Sequence, residues 1–321
     1  MEPRSQQIFE EHRADILSEV GRRWGIDSSQ IEMLGGFESY VFKAPLAGKG
    51  HILRLTHSLH RTVAQVEGEL EWVQFLAQQA VPVAGPVVSV SGKLAEVIPV
   101  EDSFFVASVF VEAPGRRPTS ADFGDEFYRN WGEMAGRMHA ATAKFQPSRP
   151  LAGRYHWYED PTSDMKSYLG RIDDAVLRRG EEVMAQIRTF TPDNASYGMI
   201  HNDLHPGNFF VNEGRLTAFD FDDCHYAFFA NDIAMALFYA LRWPGRPGND
   251  EEFTRQFLSR FLEGYCRHMA VSREWLARIP YFLKLREIDL YGVVVAHLGP
   301  DVGGWAGGFL RGRVERIEGE V

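Results

Sequence analysis

Two stretches decide the reading of this chain: His201–Phe210, HNDLHPGNFF, and Phe219–Cys224, FDFDDC. They set two histidines and an aspartate close together, then three more aspartates after a short hydrophobic run. His201 and His205 stand at i, i+4, the spacing used by zinc-binding helices. Pro206 and Gly207 follow at once, and the residue before a proline is pushed out of the helical region. The stretch cannot be a long helix, so the zinc reading loses its geometry. Phosphoryl transfer asks for different parts: a base for a hydroxyl, oxygen ligands for a cation, and positive charge near the phosphates. Mg²⁺ takes one or two carboxylates and fills the rest of its shell with water and phosphate oxygens. Asp203 is followed five residues on by Asn208, and Asp220 ends an apolar strand, LTAFD. A strand–loop–strand arrangement places Asn208 and Asp220 on adjacent chains facing one pocket, with Asp203 one loop away, where an acceptor hydroxyl would be held.

The rest of the sequence bounds this reading. The chain has 321 residues, 45% of them hydrophobic, enough for one large domain or two lobes with a core. The net charge is −10, and no basic block or stripe occurs, which argues against nucleic acid as a partner. Two cysteines, Cys224 and Cys266, make neither a disulfide framework nor a structural zinc site. The first thirty residues are charged throughout, and the apolar runs fall far short of a membrane span. The expectation is a cytoplasmic protein with no membrane partner.

Hydrophobic spacing organises the chain. Residues 6–24 read as an amphipathic helix. From Ile31, IEMLGGFESYVFKAPLAGKGHILRLT reads as three strands separated by Gly and Pro/Gly turns. A helical period returns over 62–80. PVVSV, KLAEVIPV and SFFVASVFV follow as strands, giving a sheet of about five strands with one inserted helix. EAPGRRP, residues 112–118, breaks the pattern. Beyond it helices dominate, at about 122–145, 163–189, 231–242, 250–269 and 273–298. YGMIHNDL, NFFVN and LTAFDFD interrupt them as short strands, and 299–321 reads as loop and short helix. The expected division is a β-rich lobe over 1–111, a hinge over 112–118 and a helical lobe over 119–321, with the site between the lobes.

The pattern H-x-D-x-x-x-x-N in HNDLHPGN, followed by FDFDD, resembles the aminoglycoside phosphotransferase / choline kinase-like family. The resemblance covers roughly residues 30–300. It implies an α+β fold of the bilobal protein-kinase-like kind, with a small β-rich N-terminal lobe carrying one inserted helix and a larger helical C-terminal lobe. Carried over by position, Asp203 would be the catalytic base, and Asn208 and Asp220 would hold Mg²⁺. His201 and His139 would be structural, and Asp232 would anchor the catalytic loop from the following helix. LGGFESYVFK resembles the phosphate-covering hairpin, with Gly35 and Gly36 letting the backbone approach the phosphates. HILRL occupies the third-strand position of the phosphate-binding Lys, so Ile52 would line the adenine pocket and Arg54 would stand in for the Lys, with Glu69 on the next helix placed to pair with it. Val111, Glu112 and Ala113 would meet the adenine at the hinge. The implied cofactors are Mg²⁺ and ATP or GTP.

Arg for Lys is a departure, because a planar fork does not behave as a point charge. Loss of that Lys is also what a catalytically silent nucleotide-binding pseudokinase would show. No A-P-E motif follows FDFDD, and the next helix begins about ten residues later. This favours a small-molecule hydroxyl acceptor, aminoglycoside-, amino alcohol- or homoserine-like, over a protein. A Ser/Thr protein kinase of the stress-response type is the alternative. In the family the helical lobe reads the acceptor. The candidates there are Asp222, Asp223, His225, Tyr226, Arg286, Glu287 and Tyr291, an acidic–aromatic set suited to an amine.

Overall fold

The structure, a computed structural model, describes residues 3–36, 38–159, 174–243, 245–299 and 302–319. The described chain is of the α+β class and divides into two compact units. The first comprises Met1–Arg117, Lys144–Arg154 and Gly207–Cys224; the second comprises Pro118–Ala143, Tyr155–Pro206 and His225–Val321. Two later segments return to the first unit, so HNDLHPGN is itself divided after Pro206.

In the first unit a six-stranded antiparallel sheet runs in the order β1 (Glu32–Gly35), β2 (Tyr40–Lys43), β3 (His51–His57), β6 (Ser103–Val111), β4 (Pro86–Val87), with β5 (Ala95–Val100) also paired to β6. Side chains alternate across a strand, and here the alternation assigns a different helix to each face. Leu53 and Leu55 of β3, with Phe105, Ala107 and Val109 of β6, pack in one core with α1 (Pro3–Trp24) through its Ile8, Phe9, Ile16, Leu17, Val20 and Trp24. Phe9 stacks on Tyr40 with centroids 3.8 Å apart. On the other face, Val106, Phe104 and Phe110 meet Val66 and Leu70 of α2 (Val63–Gln78). Arg54, between Leu53 and Leu55, therefore points to the α2 side. A capping box starts α2: the Gln65 N–H donates to Thr62 Oγ1 at 3.3 Å, and the Thr62 N–H donates to Gln65 Oε1 at 2.8 Å.

The returning segment forms a hairpin of β8 (Phe209–Asn212) and β9 (Arg215–Ala218). Its two-residue turn, Glu213–Gly214, has positive φ at both positions, as a tight hairpin turn requires. Main-chain bonds tie it to the first unit. Arg116 and Val211 exchange bonds of 3.1 and 2.8 Å, and the Ala218 N–H reaches the Pro82 carbonyl at 2.9 Å.

The second unit is mostly helical: α3 (Asp125–Thr142), α4 (Asp174–Arg188), α5 (Phe229–Leu241), α6 (Asp250–Tyr265), α7 (Arg273–Leu298), α8 (Gly304–Leu310) and α9 (Arg313–Glu318). The first part of the helix expected over 163–189 lies outside the described residues. A strand absent from the sequence reading, β10 (His225–Phe228), pairs with β7 (Tyr197–Ile200). The aromatic stripe Phe253, Phe257, Phe261, Tyr265 on α6 recurs every fourth residue and packs against Tyr128 and Trp131 of α3. The two helices approach so closely that a Cβ on Gly264 would lie 1.9 Å from the Arg129 carbonyl oxygen, and one on Gly132 would lie 1.8 Å from that of Phe261. This contact fixes α3, and with it His139 near its end. Among the described residues no helix is long and apolar enough to cross a membrane.

Gly264→Ala should force the two helices apart. The expected loss is about 1–3 kcal/mol, the usual cost of overpacking a tight core. It would be read as a lower urea midpoint, and an unchanged midpoint would show that the helices yield freely.

Candidate active site

In the first unit, Arg54 makes a two-pronged ion pair with Glu69, Nη1 to Oε1 at 2.8 Å and Nη2 to Oε2 at 2.6 Å. Both side chains are buried. Parallel bonds of this kind are what the guanidinium plane permits and an ammonium does not. A second arginine joins from the 144–154 segment: Arg154 Nη2 donates to Glu69 Oε2 at 3.0 Å, and its Nη1 donates to the Asp222 carbonyl at 2.7 Å. Burial opposes the charge on Arg54, but Glu69 and then Asp222 outweigh it and hold its pKa above the ordinary arginine value. Ile52 lies two residues back on β3 and is half-buried.

Asp222 is committed within this network. His60 Nε2 lies 2.7 Å from its Oδ2, and Arg61, which donates to the same oxygen at 3.3 Å, also reaches Asp223 Oδ1 at 3.1 Å. Burial alone would raise the Asp222 pKa. The Arg61 charge, the His60 bond and Arg54 together hold it well below the usual carboxylate range.

The glycine hairpin is built as a backbone feature. Gly36 has φ +140°, and a Cβ there would sit 1.8 Å from the Ser39 carbonyl oxygen. Gly35 ends β1 at a register shift against β2. At the hinge, the Val111 N–H donates to Gly85 and the Glu112 N–H to Gly50, at 2.9 and 3.2 Å. Two of the three amides expected to face an adenine are thus used inside the unit, which leaves that reading to Ala113 and to the carbonyls.

Asn208 and Asp220 sit at the open end of the β8–β9 hairpin. The Phe219 N–H donates to the Asn208 carbonyl at 2.9 Å, so Asp220 comes one residue beyond the rung that holds Asn208. Asp220 is exposed and takes φ +64°, a left-handed conformation that aspartate tolerates at a small cost. An amide oxygen and a carboxylate are hard donors that fit Mg²⁺. Among the described residues, neither three-ligand His/Asp/Glu cluster includes Asp220, as suits an ion completed by water and phosphate.

The second unit carries Asp203. Its Oδ1 accepts from Arg286 Nη2 at 2.9 Å, and His205 Nε2 lies 3.2 Å from its Oδ2. Burial pushes its proton affinity up, but Arg286, His205 and His201 overcome this and keep the carboxylate well below its usual range. The turn beneath it is braced by Asp232 at the start of α5. Asp232 accepts from the His201 N–H at 3.0 Å and the Asn202 N–H at 2.8 Å, with His139 Nε2 3.1 Å away and the His139 Nδ1 2.8 Å from the Tyr265 hydroxyl. Asn202 takes φ +67°, so the brace holds the loop in a bent conformation.

The acceptor candidates are divided between the two units. Asp222 and Asp223 belong to the first unit, while His225, Tyr226, Arg286, Glu287 and Tyr291 belong to the second. His225 and Tyr226 lie on β10, where Tyr226 exchanges main-chain bonds with Tyr155 and Trp157. Glu287 is buried against Arg313 of α9, with Arg242 3.7 Å and Lys284 3.8 Å away. Its neighbour Arg286 faces Asp203 instead, and Tyr291 is buried lower on α7. Sequence reasoning missed Arg154, Arg61, His60 and Tyr239. Only Tyr239 left a signal: it lies seven residues after Asp232, on the same face of a helix whose other polar residue is Asn231.

With this geometry in view, likeness to other proteins can be weighed. Residues 30–275 match the model of the phosphotransferase enzyme family. Amicoumacin kinase of Bacillus subtilis (strain 168) is 32% identical over 291 residues, covering 90% of this chain and 86% of that protein. Among solved structures, amicoumacin kinase hAmiN in complex with AMP-PNP, Ca²⁺ and Ami superposes with a TM-score of 0.91 at 33% identity, over 99% of this chain and 96% of that one. A microcompartment-associated aminopropanol kinase gives a TM-score of 0.74 at 17% identity, over 94% and 95%, a likeness of fold alone. The kinase-like fold, the matched family model and the full-length relatives place the chain in the phosphotransferase enzyme family, and the protein is a phosphotransferase.

Proposed function

We propose that this protein transfers the γ-phosphoryl group of ATP or GTP to a hydroxyl of a small molecule, with an amicoumacin-like compound as the first acceptor to try. The observation that carries this reading is the 33% identity to amicoumacin kinase hAmiN over 99% of the chain. Aminoglycoside-, amino alcohol- and homoserine-like acceptors remain the wider class. In this reading Asp203 accepts the proton of the acceptor hydroxyl as the new P–O bond forms, and the nucleoside diphosphate leaves. Asn208 and Asp220 would hold Mg²⁺, which would supply charge neutralisation at the phosphate oxygens. Gly35 and Gly36 approach the phosphates, Arg54 serves the phosphates while Glu69 fixes its fork, and Ile52 with Val111, Glu112 and Ala113 forms the adenine side. Compartment and oligomeric state carry no weight in this reading; a cytoplasmic enzyme is the simplest case.

The formed Arg54–Glu69 pair gives Arg54 the partner that the phosphate-binding reading asks for.

Transfer of labelled γ-phosphate from ATP and from GTP to amicoumacin, with 1-amino-2-propanol and an aminoglycoside alongside, tests the acceptor class. Product with amicoumacin is the expected result. Nucleotide binding without transfer to any acceptor would revive the silent reading, and transfer only to a protein substrate would revive the protein-kinase one.

Asp203→Ala should cut transfer by about 10²–10⁴-fold, the range for a lost base, while thermal stabilisation by Mg²⁺-nucleotide persists. Asp220→Ala should instead weaken that stabilisation, which for the intact site is about 2.7 kcal/mol at a hundredfold excess of ligand over Kd. Full activity in Asp203→Ala would remove the base assignment.

A further inference from the structure

We propose that Arg286, together with His205, is a positioning residue that fixes the Asp203 carboxylate in one orientation toward the acceptor. The inference rests on the reading of Asp203 as the base. Arg286 lies on α7, beyond the residues matched by the family model, which end at 275. Its own fork is immobilised by three acceptors. Nη2 donates to Asp203 Oδ1 at 2.9 Å and to the Tyr239 hydroxyl at 2.7 Å, and Nη1 donates to Asp289 Oδ2 at 2.7 Å, one turn along the same helix. On the other side His205 stacks on the Tyr239 ring, centroids 4.3 Å apart, and sets its Nε2 3.2 Å from Asp203 Oδ2. Tyr239 therefore supports both partners, one through its hydroxyl and one through its ring.

An ionised carboxylate has about four lone-pair sites. Each oxygen of Asp203 has a partner that cannot move independently, so the plane of the carboxylate has a fixed aim. The charged or titratable groups that bear on Asp203 include Arg286 from α7 and His205 and His201 from its own loop, with Asp289 and Tyr239 beside Arg286. Their sum favours the ionised form. A base so stabilised is weak toward a free alcohol, and it takes the proton only as the P–O bond forms. Such a group contributes by orientation more than by basicity, as fits a loose transition state.

The test is a carboxyl-carbon nuclear magnetic resonance titration of the full-length protein, with Asp203→Asn used to assign the Asp203 signal. In the wild type this signal should stay ionised down to about pH 4, near the ordinary carboxylate value. In Arg286→Met its midpoint should move up by at least about one pH unit, and in His205→Asn by a smaller step, each checked for intact folding by thermal melt. Arg286→Lys should restore part of the shift, since it returns the charge without the fork. With an accepted substrate, Arg286→Met should lower kcat at least about tenfold and leave the nucleotide KM unchanged. An Asp203 midpoint that is the same in the wild type, Arg286→Met and His205→Asn overturns the proposal. Failure of the base reading looks different: Asp203→Asn would then turn over like the wild type.

Discussion

A single buried carboxylate, Asp232, holds the turn before Asp203 in place. Asp232 has no exposed surface, and a charge so placed must be met by donors or it unfolds its surroundings. Its donors are the amides of His201 and Asn202 and the ring of His139. Those partners come from two other elements, so the aspartate welds α5 to the loop and to α3. His139 in turn depends on Tyr265, at the end of the aromatic stripe of α6, whose approach to α3 is possible only because glycines line it. The bent conformation of Asn202, and hence the exit direction of Asp203, is set at the end of this chain of contacts.

The first unit instead gathers charges of both signs around two buried carboxylates. Glu69 receives Arg54 and Arg154, and Asp222 receives Arg61 and His60. Among the described residues Arg54 Nε, Arg154 Nε and Asp222 Oδ1 have no hydrogen-bond partner, so this network leaves both donors and an acceptor over.

Much of this was legible in the sequence, for physical reasons. Strand alternation separates Arg54 from Leu53 and Leu55, and helical period marks α2, while the pairing of Arg54 with Glu69 was implied by the family resemblance. The hairpin that brings Asn208 within one residue of Asp220's rung follows from the apolar runs on either side of Glu213–Gly214. What could not be read depends on contacts between distant segments. Arg154 reaches Glu69 across 85 residues, and His60 reaches Asp222 across 162. No periodicity encodes such pairs. Arg286 and Glu287, neighbours in sequence, point about 100° apart around α7. One therefore meets Asp203 and the other meets α9. The return of 207–224 to the first unit was hidden for the same reason, since its ties to Pro82 and Arg116 are main-chain bonds that any side chains could accompany.

The two cysteines differ in a way that gives the molecule a built-in handle. Cys224 is buried, and burial pushes its thiol up to about 12, so almost none of it is thiolate at neutral pH. Cys266, just past α6, is exposed. A maleimide dye offered to the native protein should therefore attach at one place, without any engineered residue. Because Cys266 follows Tyr265, the residue that bears on His139, that dye would report on the same column of contacts that supports the loop of Asp203.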